Sequence, residues 1–78
     1  MQRLNRALAN YHLAVAAASP ENDRGLLSRA HEAMGRILAF LEHNDEAIKE
    51  FEAAIRIGEV PGGAYQDAIE GKRKLSQP

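Results

Sequence analysis

LSRAHEAMGRILAFLEHNDEAIKEFEAAIRIGEVP, from Leu27 to Pro61, holds two apolar patterns with a polar break between them. In the first, Leu27, Ala30, Met34, Ile37, Leu38 and Leu41 recur at three and four residues, the one-sided stripe of an amphipathic helix. After the break, Ala47, Phe51 and Ala54 continue the same rhythm. Asn44 can cap the second helix by accepting an amide hydrogen bond, and Asp45 and Glu46 suit its electropositive first turn. Gly58 suits the left-handed conformation that ends helices, and Pro61-Gly62-Gly63 makes a turn. The spacing predicts helices over 26–41 and 44–57.

Outward from this centre, Leu4, Leu8, Tyr11, Val15 and Ala18 form another stripe, which predicts a helix over 2–18. It stops at Ser19-Pro20, because proline restricts the residue before it and has no amide hydrogen. Ser19 and Asp23 are rival caps for the next helix, and 19–25 is open to reading as a loop or an extra helical turn. A fourth helix is expected over 64–75, with Tyr65, Ala68, Ile69 and Leu75 inward, weakened by Gly71 and the polar run Lys72-Arg73-Lys74.

Small residues at fixed places say how the helices meet. Gly35 lies twelve residues before Ala47, with Phe51 four further on and Ala54 three beyond that. Such residues let two helices approach closely while the ring fills the space between them. Met34-Gly35, Leu38, Ala47, Phe51, Ala54 and the late Pro61 together resemble the tetratricopeptide pattern. Ala7, Tyr11 and Ala14 repeat the Ala47, Phe51, Ala54 spacing 40 residues earlier, and in the last helix the small position of the pattern falls on Ile69. The resemblance implies an all-α fold of antiparallel helical hairpins, a right-handed superhelical array of about four helices. The single domain, 1–78, would hold the second helix of a partial repeat over 1–18, an insertion over 19–25, a full repeat over 26–61 and a capping first helix over 62–75.

Composition narrows the function classes. With 78 residues, 45% hydrophobic and 27% charged, the chain is near the lower size limit for an independent core. It has no cysteine, so neither a disulfide framework nor a thiolate metal site is available. A net charge of −1 argues against nucleic-acid binding, which needs a basic face to displace counterions. No run approaches the roughly 20 apolar residues that span a bilayer, so no membrane role is expected. Arg3 and Arg6 ahead of Leu13-Ala-Val-Ala-Ala-Ala18 have the outline of a secretory leader, but Asn10, Tyr11 and His12 interrupt it. A packed helix and cytoplasmic residence are the expectation.

His12, His31 and His43 lack the four-residue partner that a helical metal pair uses, so no metal ligand is assigned. No cysteine nucleophile, Gly-rich phosphate loop or strand-to-helix serine is present, and Glu50 and Glu52 fall on different faces of their helix. Neither catalysis nor a cofactor is expected. The acidic excess from Glu42 to Glu59 reads as solvent-facing charge.

Arg29, Glu32, Arg36 and Phe40 stand at offsets of three, four and four, along a side of their helix away from the core stripe. Two guanidiniums about 10 Å apart can hold carboxylates beside an exposed aromatic. Equally, Arg29, Glu32 and Arg36 read as a surface ion-pair ladder worth tenths of a kcal/mol. In the tetratricopeptide resemblance these four residues would line a peptide-binding groove, with Arg73 at its rim. The expected function is therefore a non-enzymatic protein–protein interaction scaffold for an acidic or amphipathic partner segment. The alternative is a structural module that self-assembles into homo-oligomers, because the repeats run out of phase with complete units.

Overall fold

α1 (Gln2–Ala17), α2 (Arg24–Phe40), α3 (Asn44–Ile57) and α4 (Tyr65–Leu75) make up an all-helical chain, with no strand among the described residues. The computed structural model describes residues 2–77. α2 is central: it packs against α1, α3 and α4, and α3 also packs against α4. No helix among these residues is long and apolar enough to cross a membrane.

The boundaries reflect local chemistry. Beyond α1, Ser19 and Asp23 close a turn on each other. The Ser19 amide donates to Asp23 Oδ2 at 2.8 Å, and the Asp23 amide returns a bond to the Ser19 carbonyl at 2.9 Å. The segment left open between loop and helix is therefore a turn, and α2 starts at Arg24, two residues before the expected Leu26. Asp23 occupies the N-cap position, but its side chain points back to Ser19 and makes no cap bond.

Between α2 and α3 the chain turns in a Schellman motif. The His43 amide donates to the Leu38 carbonyl at 2.8 Å and the Glu42 amide to the Ala39 carbonyl at 3.0 Å. Glu42 takes the left-handed conformation usually given to glycine, with φ 64°. Asn44 is not the expected cap. His43 holds that position without a side-chain bond, because the turn is closed by backbone bonds before Asn44 is reached.

The core is built around one ring. Phe51 is 2% exposed, and Ala47, Ala54 and Ala68 are fully buried around it. Burying such a ring contributes roughly 1.5–3 kcal/mol. Two glycines make its seat. A Cβ on Gly35 would lie 2.7 Å from Phe51 Cε1, and one on Gly71 would lie 2.5 Å from Phe51 Cζ. Gly71 therefore does more than weaken α4, and it, not Ile69, is the small residue against which α3 packs. Leu27, Ala30, Ala33, Met34 and Leu38 are the buried apolar side chains of α2, whereas Ile37 and Leu41 are only half-buried. In α4, Ala68 is buried while Tyr65, Ile69 and Leu75 are half-buried. α1 contributes no buried residue; Leu4, Leu8, Val15 and Ala18 are half-covered and Tyr11 is exposed.

The loop from α3 to α4 folds back onto the start of α2. Val60-Pro61-Gly62-Gly63 forms a β-turn closed by the Gly63 amide on the Val60 carbonyl at 3.0 Å, with Gly62 at φ 73°. Buried Ser28 accepts the Ala64 amide at 2.9 Å, which fixes where α4 begins. From the first residue of α2, the Arg24 guanidinium donates to the Ile57 carbonyl at 2.8 Å and so caps the electronegative end of α3.

Candidate functional site

Because α2 lies between α1 and α4, the side of it that faces away from α3 is walled by both neighbours. Three adjoining hollows result. One of about 310 Å³ lies between α1 and α2 and includes Leu4, Tyr11, Ile37 and Phe40. A second, about 420 Å³, includes Tyr11, Leu26, Arg29 and Asp67. The third, about 540 Å³, lies between α2 and α4, with Ala39, Phe51, Gly71 and Leu75 beneath a rim that includes Asp67, Glu70 and Lys74. Arg36 borders all three.

Arg29, Arg36 and Phe40 stand exposed on this side of α2. Phe40 is 71% exposed, the most open large apolar side chain on the described chain. Arg29 makes no ion pair among the described residues and is available for a carboxylate from outside. Glu32 departs from the expected exposed ladder. Only 7% of its side chain meets solvent, and its Oε2 accepts from Arg36 Nε at 2.8 Å. One rung of the ladder is therefore real but lies half inside, since α4 covers the face that a wheel of α2 alone leaves open.

Burial pushes the Glu32 carboxyl above its ordinary range; the charge and hydrogen bond of Arg36 counter this, and nearby Asp67 adds to the upward push. Arg73, expected at the rim, is held on its own helix instead. Its guanidinium donates through Nε to Glu70 Oε2 at 3.1 Å, with Nη2 on Oε1, and it lines none of the three hollows. This contact holds the Glu70 carboxyl below its usual range. Lys74, one residue on, lines the α2–α4 hollow in its place.

The rim is mixed in sign, with Arg29, Arg36 and Lys74 against Glu32, Asp67 and Glu70. Glu32 occupies Arg36 and Arg73 occupies Glu70, which leaves Arg29 and Lys74 as the rim cations without an ion pair among the described residues. On the α3 side of α2, His31 Nδ1 meets Glu50 Oε1 at 2.7 Å, an inter-helix contact that no spacing within one helix reveals. Glu52 reaches Lys72 of α4 at 3.2 Å. Among the described residues no three His, Asp or Glu side chains are arranged to hold a metal ion. The chain matches no family model, no curated protein and no solved structure.

Proposed function

We propose that the chain is a non-enzymatic interaction scaffold, built from tetratricopeptide-like antiparallel hairpins, that binds a segment of a protein partner along α2. Support for the hairpin reading comes from the seat of Phe51 between Gly35 and Gly71, with Ala47 and Ala54 fully buried. The observation that carries the functional reading is Phe40. A large apolar side chain left 71% exposed, at the edge of a hollow with Leu4, Tyr11 and Ile37, is costly in water and useful as an anchor.

The partner segment would place a bulky apolar side chain against Phe40 and Tyr11 and a carboxylate on Arg29. Desolvation at Phe40 supplies most of the affinity, while the guanidinium supplies orientation and on-rate. A randomised peptide display library panned on the purified chain tests this. Enriched peptides should share an apolar residue near an acidic one, and Phe40→Ala should weaken them about tenfold or more by calorimetry. Arg29→Glu should weaken those that carry the acid. No enrichment, or peptides indifferent to both substitutions, would sink the reading.

A further inference from the structure

The side of α1 turned away from α2 is uncovered. Leu4, Leu8, Val15 and Ala18 are half-covered against the rest of the fold, whereas Arg6, Ala9, Leu13 and Ala16, which recur at three and four residues on the opposite side, are exposed. Leu13 is 68% exposed, second only to Phe40 among the large apolar side chains of the described residues, and it lies outside the three hollows on α2.

The charges of α1 are as one-sided as its packing. Arg3 and Arg6 lie in its first two turns, His12 near its middle, and it has no carboxylate. Its last turn has no basic residue, so the electronegative helix end is without a counter-charge, and exposed Glu21 stands just beyond it. We infer that this face pairs with the same face of a second copy, the two α1 helices running antiparallel about a two-fold axis beside Leu13.

The geometry selects that direction. Arg6 lies about 10 Å along the axis on one side of Leu13, and Ala17, the last residue of α1, about 6 Å on the other, with Glu21 in the turn beyond it. Antiparallel pairing therefore brings each Arg6 to the partner's α1 C-terminus and its Glu21, and closes as a two-fold dimer. Parallel pairing would set the arginines of both copies side by side with no carboxylate between them. The alanines at positions 9 and 16 let the helices approach closely around Leu13. Two helices of 16 residues make a small interface, below about 1,200 Å², so the dimer is weak, with a dissociation constant on the order of 10–100 μM.

Sedimentation velocity from about 5 μM to about 1 mM, which brackets that constant, should show a monomer converting to a dimer. Leu13→Glu should remain monomeric throughout with an unchanged melting temperature, because that side chain touches little in the monomer. Arg6→Glu should weaken the dimer several-fold, and Arg6→Glu with Glu21→Arg should restore it. A wild type that stays monomeric at 1 mM, a Leu13→Glu variant that still dimerises, or a double variant no better than Arg6→Glu would each overturn the pairing. Peptide binding at Phe40 is on another face, so Leu13→Glu leaves it intact and the two proposals fail separately.

Discussion

Replacing Gly35 by alanine sets two opposed effects against each other. In an exposed helix the change stabilises by about 1 kcal/mol, because glycine loses more backbone freedom on folding. Here the new methyl would lie 2.7, 2.8 and 2.9 Å from Cε1, Cδ1 and Cζ of Phe51, well inside van der Waals contact. α4 limits the retreat of the ring. Its far side rests on Gly71, where a Cβ would be 2.5–2.8 Å from the same ring. Overpacking of a confined site costs about 1–3 kcal/mol, so the net effect is a loss near 1 kcal/mol. For a domain of this size that lowers the melting temperature by roughly 4–8 °C. The decisive assay is a four-protein urea melt: wild type, Gly35→Ala, Phe51→Leu and the double variant. With the ring gone the clash goes too, and in the Phe51→Leu background Gly35→Ala should become neutral or stabilising. The coupling between the two sites should exceed about 0.5 kcal/mol. A higher melting temperature for Gly35→Ala in the wild-type background, or an equal effect in both backgrounds, would refute the seat of the ring.

Glu42→Gly should stabilise by roughly 0.5–1 kcal/mol in chemical denaturation, since φ 64° is strained for glutamate and easy for glycine. Gly58, at φ 89° and ψ −174°, occupies a region nearly closed to other residues, so Gly58→Ala should lower stability by about 1–3 kcal/mol although nothing lies near its Cβ. Glu32 takes up a proton more readily folded than unfolded; its contribution to stability is fullest below the ordinary carboxylate range and falls as pH rises through its raised value. Glu32→Gln should therefore gain on wild type as melts move from acid to neutral pH, and a variant that instead loses ground to wild type over that range would contradict its burial.

Periodicity within one helix makes most of the architecture legible. α3 runs over the expected 44–57, and α1 ends within a residue of the expected 18. Single-helix patterns cannot show contacts between distant positions: Arg24 on the Ile57 carbonyl, Ser28 on the Ala64 amide and His31 on Glu50. Gly71 reads as a flaw in α4 because its purpose is on α3. Arg29 and Phe40 are readable as exposed since nothing packs over them. Glu32 is not, because its burial depends on where α4 docks, and that depends in turn on the loop turn at Pro61-Gly62 and on Ser28. Arg73 departs from the rim for a smaller reason, an i,i+3 glutamate close enough to hold it on its own helix.

Partner binding along α2 is tested most directly by an amide chemical-shift titration of the labelled chain with an acidic peptide enriched by display. Saturable shifts should cluster at Tyr11, Arg29, Arg36 and Phe40 and be lost in Phe40→Ala. Shifts confined to the outer surface of α3, around Asp45, Lys49 and Glu52, or an unchanged response in Phe40→Ala, would contradict binding at this face.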